Sequence, residues 1–349
     1  MAIAGIAAGL LGRLLLDIPA VVEWHRSTFF PLAGAALQQV FGANASSIGE
    51  IMAMMAAAVA IAAVVRARTR AVAPLAAFAG LVVFTFYASW GLAYAYPPLS
   101  SRLPTLSASN EAPEHLIAIS GLSARFAAKL SPETFSTAPD AELLSRINTA
   151  LAEGFSVLPP GLEASPIRAI TFGPTRFSYV SFAMSRLQLS GYYFPWTGEA
   201  HINRQMPRSA WARTAAHERA HQRGFARENE ATVMGVLACL GSGDPLVRYS
   251  GALGLFIALD RDLARRDTAA RKQLWDVLPP RVLRDLREEE AFWNAHEGAP
   301  ARVSERVNDT YLKAQGVVSG IVSYSETTRL FLQALETESL SATAFRSLR

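Results

Sequence analysis

His217-Glu218-Arg219-Ala220-His221 puts two imidazoles and a carboxylate within five consecutive residues. Histidines four apart on a helix project from one face about one turn apart, so both reach a single divalent ion. Glu218 then lies to the side of that face, where it takes a proton from a water on the metal. This is the minimal kit for zinc-assisted hydrolysis of a peptide bond. The bland alternative is an amphipathic helix with two surface histidines. A four-coordinate site with one open position still lacks a third protein ligand. The acids that follow closely, Glu228 and Glu230, are the candidates.

The elements that must position this set are legible around it. Ser209–Ala216 supplies helix formers behind a Ser209 cap, and Gly224 supplies a stop or sharp turn. Arg227 opens a second helical pattern that runs to about Leu240 and places both acids in its first turn. Upstream, Ile167–Phe172, Arg176–Phe182 and Leu187–Phe194 are rich in β-branched and aromatic residues and read as strands, with Gly198–Asn203 a fourth. An edge strand beside the site would pair with an extended peptide. Helical spacing recurs over Glu114–Leu130, Ala141–Gly154, Pro245–Arg266, Arg281–Glu297, Arg302–Ala314 and Tyr324–Leu335. Leu158–Pro166 reads as a loop, and the tail from Glu338 is polar.

Half of the 349 residues are hydrophobic (51%) and mean hydropathy is +0.19, values high for a purely soluble chain. The excess lies before Pro97. Residues 48–65 and 71–96 read as transmembrane helices. The second ends in Phe86, Tyr87, Trp90, Tyr94 and Tyr96, the pattern of an aromatic interface belt. A third span over about 2–22 is preferred to an interfacial helix, with Arg13 and Asp17 pairing four residues apart. Phe29–Phe41 reads as a short interfacial helix. Arg66, Arg68 and Arg70 lie between the two firm spans, which makes that loop cytoplasmic and sends everything after Pro97 outward. The net charge of +4 fits such loop arginines, and no basic stripe with interleaved aromatics marks a nucleic-acid partner. Pro97–Pro113 reads as a linker leaving the bilayer. The single cysteine, Cys239, forms no intramolecular disulfide and sits in an apolar run as a core thiol.

Several segments together resemble one family. Gly191-Tyr192-Tyr193-Phe194-Pro195-Trp196-Thr197-Gly198-Glu199-Ala200, His221-Gln222-Arg223-Gly224-Phe225-Ala226-Arg227-Glu228-Asn229-Glu230-Ala231, Asp309-Thr310-Tyr311-Leu312-Lys313 and Ser323-Tyr324 are similar to an uncharacterised family of bacterial membrane proteins, domain of unknown function 3810. The likeness extends to Ser46-Ser47-Ile48-Gly49-Glu50 and brings no substrate. More distantly the site resembles the gluzincins, zinc peptidases with HExxH and a downstream glutamate. The resemblance implies a mainly α fold with a small β-sheet, a zincin-like α+β domain. It would span 114–349, after linker 97–113 and a membrane anchor over 1–96. Glu228-Asn229-Glu230-Ala231 matches the ExxA pattern and nominates Glu228 as third ligand. Thr232 stands where a second-shell acid is usual, and the spacing from His221 is short, so Glu230 stays an alternative. A metzincin would need a third histidine where Arg227 stands. Arg219, two residues from each histidine, faces away from the metal and either pairs with an acidic neighbour or marks loosened selection on the helix, as in an inactive relative.

The expected mechanism has His217, His221 and Glu228 holding Zn2+ while Glu218 shuttles a proton from the attacking water to the leaving amine. Tyr324 is the first choice for a group steadying the oxyanion; Tyr311, Tyr193, Asn203 and His201 are further candidates. Glu199 is a rival acid that would orient a ligand histidine. His25, His115 and His296 read as surface or interface residues. The partners implied are a lipid bilayer and a peptide or protein substrate, in a bacterial inner membrane with the site extracytoplasmic. The competing class is a non-catalytic zinc-binding receptor or scaffold, against which Glu218 speaks. A transporter is disfavoured because paired charges inside the spans are missing. Oligomeric state is not encoded in any motif.

Overall fold

Helices dominate the computed structural model, which describes residues 7, 11–42, 46–67, 72–106, 113–130, 138–159, 161–164, 172–314 and 324–337. After two short helices, α1 (Pro19–Trp24) and α2 (Phe30–Leu37), come α3 (Ile48–Ala67) and α4 (Val72–Ser89). These two are long and apolar enough to cross a membrane, and only 11% of either span is buried by protein. A core helix of a soluble domain would be mostly covered. Met55, Val59, Ile61 and Val65 are instead bare.

The rest of the chain folds as α5 (Pro113–Leu130), α6 (Asp140–Ser156), β1 (Thr175–Phe177), α7 (Ser181–Arg186), β2 (Gly191–Phe194), β3 (Glu199–Ile202), α8 (Arg208–Gln222), α9 (Glu228–Gly241), α10 (Pro245–Arg266), α11 (Thr268–Asp276), α12 (Pro280–Asn294), α13 (Ala299–Ala314) and α14 (Tyr324–Glu336). The described strands form one mixed sheet of order β1-β3-β2. Arg176 of β1 lies opposite His201 in parallel register, and Tyr192 of β2 lies opposite it in antiparallel register. β2 is therefore an edge strand. The core packs α8, α9 and α10 against one another around fully buried Trp211, Phe225, Tyr249 and Phe256.

Four expectations change. The segment 2–22 is not one helix among its described residues: a 3-10 turn at Leu15–Asp17 leads to extended Ile18 (φ −108°, ψ 98°) before α1 restarts at Pro19. A residue before proline is sterically kept out of the helical region. Arg13 and Asp17 do approach, at 3.8 Å. The aromatic end of α4 is not a lipid belt, because Trp90, Tyr94 and Tyr96 are buried in the same core as α8. Pro97–Pro113 does not behave as a linker where it is described. Leu99 is wholly buried, and its N–H donates to Glu230 Oε1 at 2.9 Å. The strand expected over Arg176–Phe182 stops at Phe177. There the Ser178 hydroxyl and the Tyr179 N–H donate to Glu50, and Val180 N–H donates to Ser178 Oγ, turning the chain into α7. Ile167–Phe172 lies outside the described residues except Phe172, which is not in a strand.

The sheet grips the start of α3. Glu199 accepts from the N–H groups of Ile48 (3.1 Å) and Gly49 (2.6 Å), a carboxylate at a helix N-terminus, where the exposed N–H groups favour negative charge. Glu50 also accepts from the Tyr192 hydroxyl.

Candidate metal centre

α8 carries His217 and His221 on one face, and their rings meet edge to face with centroids 4.7 Å apart. The helix begins at Arg208 after Pro207, and Ser209 makes no cap; its hydroxyl has no partner among the described residues. It ends at Gly224, whose φ of +89° is a left-handed turn that a side chain would resist. That turn returns the Phe225 carbonyl to His221 Nδ1 at 2.6 Å. Extended Arg227 then starts α9 at Glu228. The two helices cross closely because Gly235 has no side chain: a Cβ there would stand 2.8 Å from His217 N and 2.9 Å from Ala216 C. Glu228 Oε2 thus lies 3.1 Å from His217 Nε2, and Oε1 lies 3.7 Å from His221 Nε2. The two Nε2 atoms are 3.1 Å apart, and all three ligand atoms fall within 4.8 Å of one another.

The hydrogen bonds fix where the ring protons sit. The Thr232 hydroxyl donates its one proton to Glu228 O at 2.8 Å, so at 3.2 Å it accepts from His217 Nδ1–H. His221 Nδ1–H is committed to the Phe225 carbonyl. Both Nε2 lone pairs and a carboxylate therefore converge on one point, an arrangement that suits a cation. Tetrahedral bonds of about 2.0–2.2 Å imply ligand atoms roughly 3.3–3.6 Å apart, close to the 3.1–3.7 Å spacing found. The residues fit zinc. Without a metal a proton takes the place: burial opposes charge on His221, but Glu228 outweighs it and pushes the imidazole up to about 9. Glu228 is held well below the usual carboxylate range; enclosure by protein works against that, and the charge on His221 and the His217 hydrogen bond prevail.

Glu218 projects beside this set, beneath β2. Burial pushes its carboxyl up to about 7, although His217 and His221 pull the other way. It is 4% exposed and accepts no hydrogen bond from a described residue. Gly191 roofs it: a Cβ at that position would meet Glu218 Oε1 at 2.6 Å and the His201 carbonyl at 2.7 Å. A cavity of about 580 Å³ opens alongside, lined by His217, Glu228, Thr232, Arg213, Glu289 and Trp293 among others. Gln188 and Ser190, just before edge strand β2, lie on its wall.

The other candidates fall elsewhere. Glu230 is buried and turned from the histidines, with its carboxylate accepting from Leu99 N–H and Arg227. Tyr324 opens α14 and Tyr311 lies on α13, but both side chains lie outside the described residues. Tyr193 packs on Trp90, Asn203 bonds Ser185 and Leu189, and His201 bonds Ser47 Oγ at 2.7 Å beneath the stacked Tyr192 ring. Glu199 clamps α3 and orients no histidine. Arg219 meets the Asn148 carbonyl rather than an acid. His25 is not a surface residue: it is wholly buried, between the Tyr96 hydroxyl and the Ala88 carbonyl. His296 bonds the Phe292 carbonyl, and the His115 side chain lies outside the described residues. Cys239 is a buried core thiol. Sequence reasoning missed Trp90, whose indole N–H donates to His221 O at 3.3 Å. Thr232, noted in the sequence only as standing where an acid is usual, orients His217 from one turn beyond Glu228 on the same helix face. That spacing was the available signal. For Gly191 and Gly235 the signal was a glycine inside a regular element.

The sequence profile of a family described as a protein of unknown function (DUF3810) matches residues 25–332. No curated protein and no solved structure matches the chain.

Proposed function

The chain belongs to that family, which brings no activity with it, and from the site's geometry we propose that it is a membrane-anchored, zinc-dependent metallopeptidase with a zincin-like domain. The observation that carries the proposal is the meeting of two imidazole Nε2 atoms, each with its Nδ1 engaged elsewhere, and a carboxylate, beside a buried glutamate. A zinc ion held there supplies a Lewis acid that acidifies water and polarises a peptide carbonyl. His217 and His221 bind through Nε2, each aimed by the acceptor on its Nδ1. Glu228, from the next helix, completes a gluzincin-like ligand set. Glu218, with a carboxyl near neutrality, takes a proton from the attacking water and returns it to the leaving amine. β2, at an edge of the sheet among the described strands, is where an extended peptide would add. A purely structural zinc site has no need of an unbonded buried carboxylate, which favours an enzyme over a scaffold.

α3 and α4 span the bilayer in this reading. α3 starts and α4 ends against the folded domain, so Arg66, in the last turn of α3, lies at the end of the span away from that domain, and Arg68 and Arg70 follow it in sequence. Positive charge stays cytoplasmic, which puts the site on the outer face of a bacterial inner membrane. The test compares zinc-loaded protein with Glu218→Gln on a quenched-fluorescence peptide library. Cleavage by the wild type alone is expected, and equal cleavage by both would remove Glu218 from the mechanism.

A further inference from the structure

We propose that the turn between β1 and α7 is a second membrane contact, with Tyr179, Val180 and Phe182 seated in the lipid interface beside the first turn of α3. The inference rests on reading α3 and α4 as membrane spans. Tyr179 is 57% exposed, Val180 39% and Phe182 63%, a run of large apolar side chains left open by the described residues. Their height is set by Glu50 in the first turn of α3, whose carboxylate accepts from Ser178 Oγ and from Tyr179 N–H at 3.0 Å. The next α3 residues, Ile51 (37%) and Met52 (46%), are also exposed. The Glu50 tether thus holds the turn at the level where the apolar span begins. That shared level favours lipid over a protein partner as occupant. Arg186 adds the expected chemistry: its guanidinium lies 4.7 Å over the Phe182 ring. There its stem covers apolar surface while the charge reaches the phosphate layer. Aromatic rings with one polar end suit this depth.

The same residues tie the contact to the site. Glu50 also accepts from the Tyr192 hydroxyl, and Tyr192 follows Gly191, the roof of Glu218. Seating the turn in lipid therefore fixes how β2 and the cavity mouth stand over the bilayer.

The test uses full-length protein in nanodiscs of phosphatidylcholine and phosphatidylglycerol. An environment-sensitive fluorophore is placed on Phe182→Cys, Tyr179→Cys, Val59→Cys in mid-α3 and Val277→Cys between α11 and α12. All four side chains are exposed, so the fold is not at stake, and Cys239 is buried from the reagent. The labels at 182 and 179 should emit blue-shifted, and lipids spin-labelled near the headgroup should quench them. Lipids labelled deep in the chain should quench 59, and neither should quench 277. Labels at 182 and 179 that behave like 277 while 59 is quenched overturn the contact and leave the spans standing. A label at 59 that no lipid quenches overturns the membrane reading itself. Labels at 182 and 179 shielded from aqueous iodide yet untouched by the lipid quenchers mean a protein cover, which also overturns the proposal.

Discussion

Gly235→Ala tests whether the crossing of α8 and α9 builds the ligand set. The new Cβ would stand 2.8 Å from His217 N, 2.9 Å from Ala216 C and 3.1 Å from His217 Cα. Non-bonded carbon contacts are optimal near 3.5–4.0 Å, so the helices must part by roughly 0.5–1 Å. Every crowded atom is backbone, and no rotamer change relieves it. Overpacking of this kind costs about 1–3 kcal/mol, offset by up to about 1 kcal/mol of helix propensity gained over glycine. The net loss of stability is thus about 0–3 kcal/mol. The geometric effect is larger. Glu228 lies two turns before Gly235 on α9, and metal sites tolerate only about 0.2 Å in ligand distance. Zinc affinity should fall about 10–100-fold, the range for losing a group that orients a ligand. Competition with a chromophoric chelator reads the affinity, and thermal melting of the metal-free protein reads the stability. Gly251→Ala is the control: its Cβ would meet Cys239 Cβ at 2.5 Å, at the far end of α9. It should lower the melting temperature and spare zinc. Wild-type zinc affinity in Gly235→Ala would refute the claim that this contact places Glu228.

Gly191→Ala presses on Glu218 from above, backed by the His201 carbonyl. Zinc content should hold while hydrolysis falls about 100-fold, the cost of displacing a reacting group by about 1 Å; an unchanged rate would contradict the roof. Glu230→Ala leaves Leu99 N–H without its acceptor and costs Arg227 one of its hydrogen bonds, so it should destabilise by about 1–3 kcal/mol and keep its zinc; loss of zinc would move the third ligand from Glu228. His221 rises on folding from 6.5 to about 9 in the metal-free protein. The resulting stabilisation is complete below 6.5 and is lost as pH rises through about 9. Metal-free protein should therefore melt lower on the alkaline side. Zinc binding at neutral pH should release a proton, seen as a buffer-dependent heat; heats independent of buffer would contradict it.

The site was legible because its parts are local. Two histidines four apart, a turn at Gly224 and a helix opening at Glu228 all follow from spacing, and the structure brings these residues together. Failures came where the deciding partner is remote in sequence. Hydropathy does not tell lipid from protein, so Trp90 read as a belt residue although it contacts His221. Pro97–Pro113 has linker composition, yet Leu99 is held by Glu230. Arg176–Phe182 has strand composition, yet Glu50 turns it at Ser178. Glu228 and Glu230 shared one helical turn, and only the packing of α9 on α8 decided which of them faces the histidines.

Zinc content of the detergent-purified full-length protein, measured beside His217→Ala, Glu228→Ala and Glu230→Ala, tests the central claim most directly. One zinc per chain in the wild type and in Glu230→Ala, with none in the other two, is the predicted result. A wild type that takes up no zinc when supplied, or a Glu228→Ala protein that binds as the wild type does, would contradict it.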